Sequence, residues 1–362
     1  MQILQRVMTW GGVGVALSAV LVVSACATPE MSALPDYQSA WPDPPSEPRF
    51  YFERRISSSA DIVKMSSADR FKAFATGGGG SRTAIAKPYG VVVSNGKMYV
   101  GDSVARLVHM FDIKNGKYLA IGTEGIGALT KPLGIAVDQQ ERLYVIDATQ
   151  KRVVIFGKDG KYLRMVDGRR YFDRPTGIAV NQDGSRIFVV DTGGVSSIRH
   201  RVVVFDGEGN YLQDIGTRGS GPGEFNLPLN ATIGPDGTLY VVDGGNFRIQ
   251  AFTQAGQFKF SFGEVGKRSG QFARPKSIAV DQDNNIYVSD AAFGNVQIFN
   301  QNLDLLMWIG SRSAVDLPGH YMLPTGIAVD RQDGRVYMVD QFFRKVEVYR
   351  PAALGKPDTA VK

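Results

Sequence analysis

The chain contains a single cysteine among its 362 residues, Cys26. One cysteine cannot form a disulfide within the chain, and it cannot supply the several thiolates that a structural zinc site or an iron–sulfur cluster requires. The sequence also lacks the Cys-x-x-Cys-His motif that attaches a c-type haem covalently. Covalent cross-links and cysteine-based cofactors are therefore excluded as the basis of this fold.

Histidine is almost as scarce, with three residues, and no Gly-x-Ser-x-Gly elbow is present. No set of serine, histidine and acid can be nominated as a catalytic triad from the sequence. The net charge of +6 and the pI near 9.2 come from basic residues spread along the chain rather than from basic blocks. Nucleic acid is consequently not an expected partner.

One pattern is present six times, with a period typical of propeller or solenoid repeats. Each copy has a proline, an apolar triplet, a turn, an apolar pair ending in aspartate, and a third apolar run ending in an aromatic residue. The copies begin at Pro88, Pro132, Pro175, Pro228, Pro275 and Pro324. The internal aspartates are Asp102, Asp147, Asp191, Asp243, Asp290 and Asp340. The closing aromatics are Phe111, Phe156, Phe205, Phe252, Phe299 and Tyr349.

Each copy predicts four short antiparallel strands, because β-branched and aromatic runs alternate with Asp, Asn and Gly turns. Radial repetition of such sheets predicts an all-β, six-bladed β-propeller of four-stranded antiparallel blades. The sixth copy ends at Tyr349 with only three strands. We expect Arg49–Ile56, which precedes the first copy, to supply the missing strand and close the last blade, since an unpaired edge invites aggregation.

The repeat resembles the NHL repeat, as shown by Pro-x-Gly-Ile-Ala-Val-Asp, Tyr-Val-x-Asp and Arg-Val-x-x-Phe. Copies two, three and six match it most fully, for example in Pro324–Asp330. This resemblance implies the fold but does not imply one activity.

The N-terminus resembles a bacterial lipoprotein signal. Arg6 is followed by an apolar run at 8–23 and by Val-Ser-Ala-Cys ending at Cys26, whose thiol such a signal would lipidate. An ordinary signal peptide and an uncleaved membrane helix are the alternatives, although the run is shorter than the roughly 20 residues that span a bilayer. Ala27, rather than aspartate, implies sorting to the outer membrane, facing the periplasm. With its NHL-type repeats the chain is thus similar to bacterial NHL-repeat lipoproteins.

These patterns divide the chain into four predicted parts. They are a signal peptide at 1–25, a lipidated cysteine and proline-rich tether at 26–48, the propeller at 49–350, and a disordered tail at 351–362. Residues 57–87 do not fit the repeat. Ser67 could cap a short helix reaching Phe74, and Gly77–Gly80 would break it and act as a flexible connector.

Propeller connectivity places three kinds of segment on one face: the loops between blades, the residue after each proline, and the loop after each internal aspartate. We call this the inter-blade face. The post-proline residues, expected to surround the axis, are Tyr89, Leu133, Thr176, Leu229, Lys276 and Thr325. Lys276 is the only charged residue among them. The loops of blades four to six add Phe247, Phe293, Phe342 and Phe343.

An apolar, cationic rim of this kind predicts binding of a protein, a peptide or a small ligand. The predicted rim consists of Tyr89, Lys276, Phe293, Phe342, Phe343, Arg152, Arg201, Arg248 and Lys345. The alternative is that the phenylalanines pack between blades. Arg152, Arg201, Arg248 and Lys345 also follow internal aspartates, so Asp–Arg pairs that order the turn are expected as well.

An amidating lyase with an NHL-type propeller uses a histidine-ligated zinc, so a zinc enzyme is an alternative for this chain. Its ligands lie near the starts of the inner strands, where this chain has no histidine. His109 is expected in a surface position, and His200 and His320 fall in loops, so no zinc shell can be assembled. Calcium would need several axial oxygens, and only Asn230 is available. The sequence thus predicts a membrane-anchored, noncatalytic envelope protein with an envelope protein or peptide partner and no cofactor. A hydrolase or lyase using the axial pocket is the alternative.

Overall fold

The computed structural model describes residues 39–63 and 83–357. Strands β1 (Ala40–Trp41) and β2 (Phe50–Ile56) precede the first blade. Blade one contains β3 (Pro88–Ser94), β4 (Lys97–Asp102), β5 (Leu107–Asp112) and β6 (Lys117–Ile121). Blade two contains β7 (Pro132–Val137), β8 (Leu143–Asp147), β9 (Arg152–Phe156) and β10 (Tyr162–Asp167). Blade three contains β11 (Pro175–Val180), β12 (Arg186–Asp191), β13 (Arg201–Asp206) and β14 (Tyr211–Ile215).

The second half of the ring repeats this order. Blade four contains β15 (Pro228–Ile233), β16 (Leu239–Asp243), β17 (Arg248–Phe252) and β18 (Phe258–Phe262). Blade five contains β19 (Pro275–Val280), β20 (Ile286–Asp290), β21 (Asn295–Phe299) and β22 (Leu305–Ile309). A two-stranded parallel ladder follows, formed by β23 (Ser311–Arg312) and β24 (His320–Tyr321). Blade six contains β25 (Pro324–Val329), β26 (Val336–Asp340) and β27 (Lys345–Pro351).

The sixth blade is completed from the N-terminal side, which confirms the expected closure. Strand β2 pairs antiparallel with β27, with Phe50 opposite Pro351 and Ile56 opposite Val346. Its two ends carry the buried side chains of Phe50, Tyr51 and Ile56. The predicted six-bladed, four-stranded, all-β fold is therefore confirmed. Within the described residues, helical structure is limited to single 3-10 turns at Ser59–Asp61, Gly244–Asn246 and Ala352–Leu354.

The first strands of the six blades surround the axis, and each contacts the first strand of the next blade, including β25 with β3. The glycine two residues after the proline explains how they approach so closely. A Cβ on Gly177 would lie 2.7 Å from the carbonyl oxygen of Leu229 in the next blade, closer than real Cβ atoms come. Asn230 and Ser277 replace this glycine in blades four and five.

Burial falls from the middle of each blade towards its outer strand. Five of the six residues of β12 are buried, whereas β14 is mostly exposed. The apolar side chains of the middle strands pack against the neighbouring blades, as in the cluster that joins Val203 and Phe205 to Ile155 and Tyr144 of the preceding blade. The core is thus a ring of inter-blade layers around the axis.

Part of the segment predicted as a tether belongs to the propeller. Ala40 and Trp41 pair with Tyr51 and Phe50 as a fifth, outer strand. The ring of Trp41 packs edge-on against that of Tyr349, with centroids 5.0 Å apart. The half-buried Trp41 side chain packs against the core of blade six, which holds this segment on the propeller despite the prolines that follow it.

Several sequence expectations lie outside the described residues. They are the signal peptide, the lipidated Cys26, the tether as far as residue 38, the helix at 67–74, the glycine connector, and the tail beyond residue 357. In the part of the chain that the structure describes, no helix has the length and apolarity needed to cross a membrane.

Candidate binding surface and axial cavity

The six internal aspartates form the framework of the inter-blade face. Each is fully buried and accepts hydrogen bonds from backbone N–H groups just before the proline of its own blade. In blade five, Asp290 accepts from Ala273 and Arg274 and also from Ala292 and Phe293 in the next loop. Asp102 and Asp340 do the same, so in blades one, five and six one carboxylate holds both loops that shape this face.

Local environment changes how readily these carboxylates ionise. Burial alone would raise the pKa of Asp102, but hydrogen bonds from His109 and from the backbone N–H groups of Ala105, Ala86 and Lys87 lower it to about 2. Burial dominates at Asp191 and Asp243 and raises the pKa of both. The same structural position thus has different titration behaviour in different blades.

The cations at the start of the third strands support the loops as well. Arg152 donates to the carbonyl oxygen of Ala128, Arg201 to that of Tyr171, and Arg248 to that of Gly221, at 2.6–2.7 Å. Each acceptor lies in the loop that leads into the donor's own blade. The expected Asp–Arg pairs form at Asp147–Arg152 and Asp243–Arg248, whereas Arg201 pairs with Asp214.

Lys345, the fourth of these cations, is fully buried. Its Nζ lies 2.7 Å from Glu347 Oε1, 2.8 Å from Asp316 Oδ1 and 2.9 Å from the carbonyl oxygen of His320. It pairs with Glu347 rather than with Asp340. Its charge is therefore neutralised inside the blade and is not available to a partner.

The loop aromatics differ in exposure. Phe342 is 58% exposed, and its ring meets that of Phe343 edge-on with centroids 5.1 Å apart. Phe293 and Phe343 are half-buried, and Phe247 packs against the core of blades four and five. Phe342 is therefore the phenylalanine most available to a partner.

The post-proline residues fill the axis at the inter-blade face. Leu133, Thr176 and Thr325 are buried, and Tyr89 and Lys276 are half-buried. Burial lowers the pKa of the Lys276 ammonium, and the nearby charges of Arg274 and Arg174 lower it further, whereas the charge of Asp290 opposes the shift. Lys276 consequently lies beside the axis close to two arginines and to the buried carboxylate of Asp290.

A group of cations that the sequence analysis missed surrounds this position. Four of the six residues that immediately precede a blade proline are basic, exposed and without an ion-pair partner among the described residues: Lys87, Lys131, Arg174 and Arg274. Further exposed cations in loops of this face are Arg106, Arg170, Lys267, Arg268 and Arg344. The carboxylates of the same loops are fewer: Glu124, Asp173, Glu224, Glu264 and Asp316. These four cations could have been recognised in the sequence, because each occupies the position immediately before a blade proline.

The opposite side of the ring, formed by the turns between first and second strands and between third and fourth strands, is called the hairpin face. An axial cavity of about 500 Å³ lies on this side. The second halves of all six inner strands and the first turn residues line it, but none of the six post-proline residues does. The cavity is thus distinct from the predicted rim.

The three histidines lie in separate places, and the side chains of His109 and His200 have hydrogen-bond partners. His109 is fully buried, so its expected surface position is wrong: the third-strand slot that it shares with Val154, Val203, Gln250, Gln297 and Glu347 is buried in every blade. Its ring nitrogens contact Asp102 and Tyr118. His200 accepts a hydrogen bond from the Leu227 N–H, and His320 lies in β24. Across residues 39–63 and 83–357, no three His, Cys, Asp or Glu side chains are placed to hold a metal ion.

The comparisons with known proteins agree with this geometry. A family described as "6-bladed beta-propeller" matches residues 80–168 and 176–244. The human NHL repeat-containing protein 3 is 33% identical over 96 residues, which are 26% of this chain and 26% of that protein. The chain is a six-bladed β-propeller.

The peptidyl-glycine alpha-amidating monooxygenase A of Xenopus laevis is 30% identical to the propeller over 134 residues, or 33% of this chain and 14% of that protein. In both relatives the match spans far less than two thirds of the relative's length. Among solved structures, a gluconolactonase from Xanthomonas campestris has a TM-score of 0.56 at 19% identity, covering 74% of this chain and 86% of that one. Virginiamycin B lyase from Staphylococcus aureus has a TM-score of 0.53 at 14% identity, covering 82% and 98%. At such identities the likeness concerns the fold alone.

Proposed function

We propose that this propeller is a noncatalytic binding module that recognises an acidic segment of a partner protein on its inter-blade face. The observation that carries the proposal is the set of exposed cations before the blade prolines, Lys87, Lys131, Arg174 and Arg274, around the half-buried Lys276. Exposed cations without ion-pair partners are stabilised by hydration, so they reduce the stability of the fold little. They attract a negatively charged surface over about one Debye length, roughly 8–10 Å.

Two further features favour a peptide segment. Phe342 and Phe343 form an edge-on aromatic pair in the loop after Asp340, and aromatic side chains of this kind often anchor a partner. The loops themselves are held by buried aspartates, which reduces the entropy lost on binding. A rigid, cationic face with one exposed aromatic suits an acidic chain that also contains apolar residues.

Reversing three of these charges should weaken binding of an acidic polypeptide at least about tenfold, since rim charges each contribute modestly but act together. The variant is Lys131→Glu with Arg174→Glu and Arg274→Glu, in the propeller lacking its first 26 residues. The probe is a fluorescein-labelled copolymer of glutamate and tyrosine, followed by anisotropy at low and at physiological salt. Binding to the wild type should also weaken as salt rises.

The matched control reverses three exposed lysines on the hairpin face, Lys114, Lys158 and Lys161, so that net charge changes equally. Equal losses in the two triple variants would show that only net charge matters and would contradict the proposal. Equal or tighter binding of single-stranded DNA or of anionic lipid vesicles would favour those partners instead. Phe342→Ala tests the aromatic contribution in the same assay.

We further propose that the protein is anchored in a bacterial envelope, in the outer membrane facing the periplasm, through a lipid on Cys26. The sequence before the cysteine supports this, and Phe52 N–H bonding to Ser39 O places the entering chain at the outer edge of blade six. An outer-edge attachment leaves the inter-blade face accessible.

Expressed in a bacterial host, the full chain should take up labelled palmitate and sediment with the outer-membrane fraction. The Cys26→Ala variant should lose both properties, because acyl chains, at about 0.8 kcal/mol per buried methylene, provide the retention. Equal membrane retention of the variant would contradict lipidation.

An envelope hydrolase or lyase remains the second candidate because the axial cavity is large enough for a small substrate. Metal analysis of the purified propeller separates the two candidates. Stoichiometric zinc or calcium would favour the enzyme.

A further inference from the structure

The axial cavity contains one cation that reaches across it. Arg331 follows β25 in blade six, and its Nε donates to the carbonyl oxygen of Val280 in blade five at 3.1 Å. Its Nη2 donates to the carbonyl oxygen of Ile233 in blade four. Both acceptors are neutral, and Nη1 has no hydrogen-bond partner among the described residues. The guanidinium is therefore held in place with one donor group free.

The charge of Arg331 is not neutralised by a direct ion pair within the described part of the chain. Burial lowers the pKa of its guanidinium, and the charges of Asp281 and Asp236 oppose that shift. Those two carboxylates have closer partners of their own. Asp281 accepts from Asn285 and Tyr287, at 2.8 and 3.0 Å, and Asp236 accepts from Thr238 at 2.6 Å. A guanidinium remains protonated in proteins, so a positive charge is present in the cavity.

The remaining lining includes two carboxylates, Asp330 and Asp138, the latter paired with Arg142, and several neutral polar residues. Asn230 and Thr232 of β15 line the cavity, and neither side chain has a hydrogen-bond partner among the described residues. Gln139 and Gln182 line its outer part. Such groups can bond to hydroxyl groups of a ligand. Asn230 replaces the glycine found in blades one, two, three and six, and blade five also has a polar side chain, Ser277, at this position.

The hairpin face also carries many carboxylates in its turns: Asp138, Glu141, Asp159, Asp183, Glu208, Asp236, Asp281, Asp283, Asp304, Asp330 and Asp333. Several of them are ion-paired, but Asp138 and Asp330 line the cavity itself and disfavour ligands with two or more negative charges. The free Nη1 can donate a charge-assisted hydrogen bond to one carboxylate, and a monocarboxylate adds only one negative charge. Monoanionic, hydroxylated molecules therefore fit the site best.

We propose that the axial cavity binds a small hydroxylated monocarboxylate, with Arg331 holding the carboxylate and Asn230 and Thr232 bonding to hydroxyl groups. This site is separate from the inter-blade face and does not depend on what that face binds. The carboxylate takes the free Nη1 side of the guanidinium, while the two carbonyl contacts keep the side chain across the axis.

The probes are acetate, lactate and D-galacturonate, with D-galactose as the neutral counterpart of the last. Isothermal titration and thermal unfolding of the propeller lacking its first 26 residues should show binding that strengthens from acetate to galacturonate. Galactose should not bind measurably. Arg331→Gln should weaken galacturonate binding by about tenfold or more, because it removes a charge-assisted hydrogen bond. Failure of all three carboxylates to bind at millimolar concentration would overturn the proposal.

Arg331 also braces two blades, so the shift on ligand addition is measured against each variant's own ligand-free melting temperature. A second variant, Asn230→Gly, introduces the glycine of blades one, two, three and six and leaves Arg331 intact. It should weaken galacturonate binding but not acetate binding. Unchanged galacturonate binding in both variants would exclude this site. The triple variant of the inter-blade face should bind galacturonate like the wild type, which separates this result from the test of the acidic partner.

Discussion

A chain that begins at Ser57, and so lacks β2, is expected not to fold to a stable propeller. The deletion removes the partner of β27 and the buried side chains of Phe50, Tyr51 and Ile56. Fully burying a large apolar side chain contributes about 1.5–3 kcal/mol. Three of them, with the hydrogen bonds of β2, approach the roughly 5–15 kcal/mol that stabilises a typical domain. The open edge of β27 would also offer a template for aggregation.

The measurement compares chains that begin at Ser39 and at Ser57, using soluble yield, circular dichroism and light scattering on heating. The longer chain retains β1 and β2 and serves as the control. A soluble shorter chain that melts cooperatively within a few degrees of the longer one would show that closure by β2 is dispensable. Ile56→Ala is the milder test, with an expected loss of about 2–5 kcal/mol because the side chain is fully buried.

The second large effect is expected from Asp290→Ala, which removes the acceptor of four backbone N–H groups. Each buried donor left without an acceptor costs about 1–3 kcal/mol, although water will reach some of them in the loops. We expect the free energy of unfolding to fall by about 3–5 kcal/mol, well beyond an average substitution.

Chemical denaturation followed by tryptophan fluorescence provides the measurement for Asp290→Ala. The control is Asp283→Ala, an exposed aspartate in the same blade, which should change stability by less than about 0.5 kcal/mol. Similar losses for the two variants would mean that the buried carboxylate does not hold the loops. Because the Asp290 loops contain Arg274 and Phe293, the variant should also weaken acidic-peptide binding more than Asp283→Ala does.

Most of the fold could be predicted because each copy of the repeat contains the residues that specify its own strands and turns. The proline, the glycine turns and the buried aspartate recur in register, so six local predictions supported one architecture. The segment that completes the last blade was also predictable. The sixth copy lacks its fourth strand, and a strand-like segment that belongs to no copy precedes the first blade. Trp41 was missed because its contact with Tyr349 joins residues more than three hundred positions apart.

The candidate sites were less predictable, and the reasons differ. Arg152, Arg201 and Arg248 were expected on a rim, but their guanidinium groups also bond to loop carbonyls, which no sequence pattern specifies. The cations before the prolines were visible in the sequence, yet their freedom from ion pairs depends on where every carboxylate lies. Arg331 gave no signal at all, because its two acceptors belong to other blades.

The sequence alone determined the number of blades, the strands within them, and the side of the ring to which each loop belongs, since all of these depend on local periodicity and turn chemistry. Only the tertiary structure decided which charged side chains are buried in ion pairs, as Lys345 is, and which are exposed without one, as Arg174 is. It also decided that the axial cavity lies on the hairpin face and that Arg331 reaches from blade six to blades five and four within it. The physical reason is that pairing and burial depend on distances between blades, and those distances exist only once the ring has closed.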